Sequence, residues 1–158
     1  MTLEFRRVVT GHDADGRAVV TIDDRLTGQP SRERVSARVI WTTESFPVDN
    51  TGSEDQSRRQ TGTTLPNGTV FRIVEFGPGC EPRVHRTDSI DYAVIMSGEI
   101  DMELDDGKVV HLAAGDVLVQ RGTIHNWVNR GSQPCQIAFI LIDAKPVTVG
   151  GRTLAAHG

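Results

Sequence analysis

The sequence predicts an all-β fold, an antiparallel barrel with a β-hairpin added on its N-terminal side. Turn residues recur roughly every 8 to 15 positions, and the short runs between them are rich in β-branched side chains, which is typical of sandwiches and barrels. No segment carries the sustained 3.6-residue periodicity of a long helix. No internal repeat is visible, so we expect one barrel rather than two.

Length and charge narrow the possible function classes. The chain has 158 residues, and a chain of that size buries about 70% of its unfolded surface in one core. Its net charge is -4 and its longest basic block is Arg58-Arg59, so neither nucleic acid nor a membrane is an expected partner. No secretory signal is expected at the N-terminus. Cys80 and Cys135 form no metal or redox spacing, which indicates free thiols in a reducing cytoplasm.

The N-terminal part predicts strands that lie outside the barrel proper. Within residues 1–48, the runs 5–9 and 17–22 predict a hairpin, and 35–42 predicts a further strand with alternating apolar positions. Residues 49–64 have no aliphatic or aromatic side chain and predict a mobile polar loop.

The barrel itself is predicted over residues 65–145. The alternating apolar runs that indicate its strands are 70–76, 92–96, 99–104, 108–112, 117–119 and 136–142. Asp105-Asp106-Gly107 separates two of these runs and predicts a tight hairpin. Residues 146–158 predict a frayed C-terminal tail, and ten or eleven strands are expected in all.

Two histidines lie in regularly spaced clusters. The first cluster reads Gly79, five residues, His85, one, Thr87, three, Asp91, six, Gly98. This spacing resembles the first motif of the cupin family, in which a second histidine occupies the position of Thr87 and a glutamate that of Asp91. Every interval of that motif is kept, while these two residue types differ from it.

The second cluster resembles the second cupin motif. It contains Gly115, Arg121, Gly122, His125 and Asn129. An arginine stands in the proline position, one residue is missing before the second glycine, and the interval from histidine to asparagine is intact. The resemblance implies a double-stranded β-helix, or jelly-roll, and covers residues 70–142.

The resemblance makes His85 and His125 candidate metal ligands. Two histidines on facing strands are a usual way to hold a metal ion in a small barrel. Asp91 would complete a two-histidine-one-carboxylate set for a divalent ion such as Fe, Mn, Ni or Zn. Asp91 is one methylene shorter than the family's glutamate, so a structural carboxylate is the alternative. The histidines could instead serve as one ligand and one acid–base group, or be structural.

Several residues near the two histidines are candidates for substrate binding. Arg83 shares strand parity with His85 and, like Arg121, offers a planar fork for a carboxylate. The Thr87 hydroxyl could donate a hydrogen bond to substrate. Trp127 lies two residues beyond His125 and could line the binding site of an aromatic ligand. Tyr92 is a candidate for the core or for the pocket. Arg72 and Arg86 are further guanidinium groups expected near the barrel mouth.

The function that these features favour is a small-molecule enzyme. Metal-assisted lyase, decarboxylase or dioxygenase chemistry on a small carboxylate or aromatic compound is compatible with them. The alternative is a non-catalytic sensor or carrier barrel without metal. Similar small cupins are often dimers, so a homodimer is expected, in which the N-terminal hairpin packs on its own barrel or swaps onto its partner's.

Overall fold

The computed structural model describes residues 2–158, and these form short strands with two 3₁₀ turns, Gln56–Arg58 and Asp105–Gly107. The strands are β1 (Glu4–His12), β2 (Ala18–Thr27), β3 (Gln29–Arg32), β4 (Val35–Thr43), β5 (Thr69–Phe76), β6 (Ser89–Ser97), β7 (Glu99–Glu103), β8 (Val109–Ala113), β9 (Val117–Arg121), β10 (Asn126–Val128), β11 (Cys135–Asp143), β12 (Val147–Val149) and β13 (Arg152–Leu154). Within residues 2–158, no helix is long and apolar enough to cross a membrane.

Two antiparallel sheets enclose the core. Six strands pair in the order β3-β4-β5-β11-β6-β9, and three pair in the order β10-β7-β8. Side chains that alternate along the strands of both sheets meet in one buried cluster, which includes Val70, Ile95, Ile100, Met102 and Ile137. The predicted all-β class and antiparallel barrel are thus confirmed.

The N-terminal strands contribute to the wall of the barrel. β1 and β2 pair only with each other, as the predicted hairpin. β4 pairs along its length with β5, so the strand predicted at 35–42 continues the six-stranded sheet. β3 was not predicted, because Gln29–Arg32 is polar and contains Pro30. It forms the edge of the sheet, where a proline is tolerated.

The polar segment 49–64 is anchored, in contrast to the mobile loop that its composition predicts. The buried guanidinium of Arg7 donates to both carboxylate oxygens of Asp55, at 2.9 Å each, and to the Ser57 hydroxyl. The Thr42 hydroxyl donates to the Gln56 carbonyl oxygen at 2.6 Å. Polar side chains therefore hold this segment in place of an apolar core contact.

The hairpin between β7 and β8 forms at the predicted site. Asp106 and Gly107 have φ values of 56° and 71°, the left-handed conformation that tight turns need and that aspartate and glycine tolerate. The register places Met102 opposite Val110 and Ile100 opposite Leu112, so the apolar side chains stay on the core face.

The C-terminal tail is ordered, which corrects the frayed tail expected from its position. β12 and β13 form a hairpin, and His157 pairs with Arg86 through two backbone hydrogen bonds of 2.9 and 3.0 Å. The Arg83 guanidinium donates to the Gly158 carbonyl oxygen at 3.0 and 3.2 Å. The end of the chain therefore lies against the segment that carries His85.

Candidate functional site

The barrel holds His85 and His125 directly opposite each other. Each backbone N–H donates to the other residue's carbonyl oxygen at 3.0 Å, and the two ring centroids are 4.2 Å apart. The two residues form one isolated antiparallel bridge, outside the named strands. The predicted pairing of the two motif histidines in one site is therefore present.

Backbone carbonyls fix the orientation of both imidazoles. His85 Nδ1 lies 2.9 Å from the Arg83 carbonyl oxygen, and His125 Nδ1 lies 2.9 Å from the Thr123 carbonyl oxygen. A carbonyl only accepts, so each Nδ1 carries the proton and each Nε2 of a neutral ring keeps its lone pair. This is the tautomer of histidines that bind metal through Nε2.

Burial keeps both histidines neutral. It lowers the pKa of His85 to about 4, and the nearby His125, Arg83 and Arg32 add to that effect. Burial also lowers the pKa of His125. A neutral imidazole is the form that binds a metal ion, so the pair is available at neutral pH without releasing protons.

The two histidines line a cavity of about 40 Å³ between the sheets. Trp127 and Phe139 form its aromatic wall, with ring centroids 5.8 Å apart, and the Trp127 ring meets His125 edge-on at 6.0 Å. Trp127 shares the face of His125, as strand alternation predicted. The N-terminal strand β3 also reaches this cavity through Arg32.

Asp91 lines the cavity but does not complete a metal triad. Within residues 2–158, no group of three or more His, Cys, Asp or Glu side chains is arranged to hold an ion. Asp91 instead accepts a 2.6 Å hydrogen bond from the Ser89 hydroxyl, and burial raises the pKa of its carboxyl. The predicted set of His85, Asp91 and His125 is therefore corrected to a histidine pair, since the shorter aspartate is held by its own strand.

Thr87 lines the cavity beside Ser89. Its Oγ lies 2.8 Å from the Ser89 Oγ, whose own proton goes to Asp91. With Asp91 ionised, Thr87 donates to Ser89 and presents its lone pairs to the cavity. The hydrogen bond from the Thr87 hydroxyl to a substrate, which the sequence suggested, stays a prediction.

Arg83 lines the cavity, whereas Arg121 and Tyr92 do not. Tyr92 is 46% exposed, and alternation along β6 directs it to the outer face of the sheet. Arg121 is exposed opposite Ile90 on the same outer face. The sequence interpretation of both is corrected, because the inward position of β9 is Gln120, one residue before Arg121.

Sequence reasoning missed Gln120 and Arg32 and grouped Arg72 with the arginines of the barrel mouth. Arg72 lines the cavity, and it pairs across the sheet with Val39 of β4 on one side and Phe139 of β11 on the other. Burial lowers its pKa to about 10, so it stays charged at neutral pH. Period-two alternation with Val70 and Val74 was the signal that could have identified it.

Comparison with known proteins identifies similar sequences. Residues 72–142 match the family model for the cupin domain. Phomopsin biosynthesis cluster protein C' of Diaporthe leptostromiformis is 41% identical over 94% of this chain and 83% of its own length. The cupin-domain-containing oxidoreductase fogC of Aspergillus ruber is 34% identical over 96% of this chain and 78% of its own length.

The fold also has a solved counterpart. A conserved, uncharacterized Klebsiella pneumoniae protein with a double-stranded β-helix domain superposes with a TM-score of 0.52, at 19% identity. The match covers 75% of this chain and 84% of that protein. At this identity the likeness concerns the fold, and it agrees with the jelly-roll that the two motifs predict.

Proposed function

The chain belongs to the cupin family, and on that premise we propose that it is a metal-dependent oxidoreductase acting on a small carboxylate or aromatic compound. The observation that carries the proposal is the pair His85 and His125, buried and neutral, with both Nε2 atoms free. The names of relatives such as fogC and virC of Hypocrea virens, both cupin-domain-containing oxidoreductases, support oxidative chemistry over the lyase chemistry that the motifs equally allow.

The two histidines, His85 and His125, fit two coordination positions of a metal ion. His85 and His125 would hold it through Nε2, and the carbonyls that accept from Nδ1 orient both rings, as outer contacts of metal-binding histidines do. When bound, a first-row divalent ion such as Fe, Mn, Ni or Zn supplies Lewis-acid chemistry, and Fe or Mn also supplies redox chemistry. Two protein ligands leave several positions for solvent and substrate.

The chain's own residues would bind and orient the substrate. The walls formed by Trp127 and Phe139 exclude water and suit a planar or apolar group. The Arg83 guanidinium and the Thr87 hydroxyl offer polar contacts at the cavity edge. Cys80 and Cys135 are buried free thiols, which supports the proposed location in a reducing cytoplasm.

Calorimetric titration of metal-stripped protein with Fe(II), Mn(II), Ni(II) and Zn(II) tests the proposal. About one ion should bind per chain, and the variant His125→Ala should lose at least tenfold in affinity, since one of two protein ligands is gone. His111→Ala is the matched control, because His111 is an exposed histidine bonded to Asp101. Oxygen consumption by the loaded protein with a panel of small aliphatic and aromatic carboxylates then tests the oxidative step.

A second candidate is a metal-free binding barrel that senses or carries a small molecule. The position of Asp91, outside any three-residue ligand group among residues 2–158, favours it. This candidate predicts that ligands bind equally well to metal-stripped and metal-treated protein. It also predicts that His125→Ala changes metal binding no more than His111→Ala does.

A further inference from the structure

The cavity contains a half-buried arginine, Arg72, whose innermost guanidinium nitrogen has no partner. Arg72 Nε is inaccessible to solvent and makes no hydrogen bond. Among residues 2–158, no salt bridge to Arg72 is formed, although Asp91 is near enough to raise the pKa of its guanidinium. A buried hydrogen-bond donor left unpaired costs free energy, so the Nε of Arg72 indicates a position where a ligand would supply the missing acceptor.

Positive charge exceeds negative charge throughout this cavity. Arg32, Arg72 and Arg83 line it, against the single carboxylate of Asp91, whose own hydrogen bond comes from Ser89. Arg32 and Arg83 have partners, since each donates to a backbone carbonyl oxygen, of Glu81 and Gly158 respectively. The whole chain carries a net charge of -4, so overall composition does not account for this local excess.

A second polar group in the cavity also lacks a partner. Gln120 Oε1 is buried and accepts no hydrogen bond, while its amide nitrogen meets only the Met102 sulfur, at 3.4 Å. Gln120 lies opposite Asp91 in the pairing of β6 with β9. The cavity therefore offers a free cation and a free acceptor within one small volume.

We propose that the cavity binds a small carboxylate that bears a hydroxyl or amino group on the carbon next to the carboxyl carbon. The Arg72 guanidinium would bind the carboxylate, and Gln120 Oε1 would accept a hydrogen bond from the neighbouring O–H or N–H group. An anion satisfies the unpaired guanidinium, and an O–H or N–H group satisfies the unpaired amide oxygen. A molecule that does both must be short, because both residues line a cavity of about 40 Å³. The inference rests on the proposed function in taking this cavity as the substrate site.

Three matched probes separate charge from hydrogen bonding. Glycolate has both groups, acetate lacks the hydroxyl, and glycolamide keeps the hydroxyl but is neutral. Titrations on metal-stripped protein should give glycolate at least tenfold tighter than glycolamide, the effect of one charge-assisted pair. Acetate should bind several-fold more weakly than glycolate. Equal affinity for glycolate and glycolamide overturns the role of Arg72, and equal affinity for glycolate and acetate overturns that of Gln120.

The variant Arg72→Met distinguishes a binding role from a structural one. Methionine fills the space without the charge, so glycolate affinity should fall at least tenfold while the melting temperature stays the same or rises. Arg72→Lys should recover part of the affinity, because it restores the charge without the planar fork. A fall in melting temperature with unchanged glycolate affinity would mean that Arg72 is structural.

Arg121→Met is the control, since Arg121 is an exposed guanidinium on the outer face of the same sheet. This variant should bind all three probes like the parent. A loss of glycolate affinity equal to that of Arg72→Met would mean that the overall charge of the protein, and not Arg72 in the cavity, determines binding. The probes are measured without metal, so failure of charge selectivity contradicts this inference alone. Failure of the histidine pair to bind metal contradicts the proposed oxidoreductase and leaves the anion site standing.

Discussion

His85 and His125 exchange two backbone hydrogen bonds of 3.0 Å, which brings two residues 40 positions apart into a fixed cross-strand pair. Their imidazoles are therefore positioned by the wall of the barrel, and the Arg83 and Thr123 carbonyls set the tautomers. A site whose geometry comes from backbone contacts is already organised before a ligand arrives.

The metal-free protein should lose stability as pH falls from about 6.5 to about 4. Burial lowers the pKa of His85 to about 4 and lowers that of His125 as well. Below the ordinary histidine pKa of about 6.5, both imidazoles are protonated in the unfolded chain but stay neutral in the folded chain. Protonation therefore favours unfolding. Urea denaturation across this range should show the slope, and His85→Gln should reduce it. An identical slope in that variant would contradict the assignment.

Asp91→Asn should leave metal affinity within about threefold of the parent. Asp91 accepts a hydrogen bond from Ser89 and belongs to no three-residue ligand group among residues 2–158, so we expect it not to ligate the metal ion. It also contacts neither Nδ1 of the two histidines, so it does not orient their rings. Outer residues that do orient ligands typically contribute about tenfold or more. Calorimetry beside His125→Ala provides the comparison. A loss as large as that of the histidine variant would restore Asp91 to the ligand set.

Arg7→Ala should destabilise the protein by about 3 kcal/mol, since it removes a buried guanidinium that pairs with two partly buried carboxylates. The Arg7 side chain is 3% exposed and forms salt bridges with Asp24 and Asp55. The Arg6 side chain, which pairs with Asp23, is 63% exposed, so Arg6→Ala should destabilise the protein far less than Arg7→Ala does. Urea unfolding measures both, and equal effects would contradict the anchoring role of Arg7.

Arg7→Ala should also release the segment 49–64. Trypsin should then cut after Arg58 and Arg59 faster than in the parent, because Asp55 and Ser57 lose their shared partner. Limited proteolysis followed by mass spectrometry would locate the cut. Cleavage there at the parent rate would mean that the Thr42 contact with Gln56 is sufficient to hold the segment.

We propose that the homodimer expected from the sequence forms through the exposed outer face of the six-stranded sheet. Val117 and Val119 are 73% and 56% exposed and lie opposite Val94 and Tyr92, which are also exposed. Contiguous apolar surface of this kind is typical of protein interfaces. Val117→Glu should therefore shift sedimentation from dimer to monomer, whereas Val109→Glu on β8 should not. A monomeric parent, or a dimeric Val117→Glu variant, would contradict this interface.

Local patterns were sufficient to predict the barrel strands and the histidine pair. Alternation fixed the inward face of β7 and the turn at Asp106-Gly107, and the motif spacing identified His85 and His125. The inward position of Trp127 followed from the same alternation. The strand faces and the turn depend on residues close together in the chain, where geometry follows from strand period and turn chemistry. The pairing of His85 with His125, 40 positions apart, was predicted instead from the resemblance of the two motifs to the cupin family.

Errors arose where distant segments decide the outcome. The tail is ordered by pairing with Arg86, and the polar segment 49–64 by Arg7, more than 40 positions away. Arg121 was assigned to the site from its place in the motif, but the register of β9 turns Gln120 inward instead. Long-range pairing of this kind leaves no periodic signal in the segment that it orders.

X-ray absorption spectroscopy of the cobalt-loaded protein tests the central claim most directly, because its fine structure counts the imidazoles bound to a metal ion. The account predicts about two imidazoles at a metal–nitrogen distance of roughly 2 Å, and about one in His85→Ala. The remaining ligands should be oxygen atoms of solvent, which lack the multiple scattering of an imidazole ring. A spectrum without imidazole scattering, or one unchanged when both His85 and His125 are replaced by alanine, would contradict the claim that this pair forms the metal site.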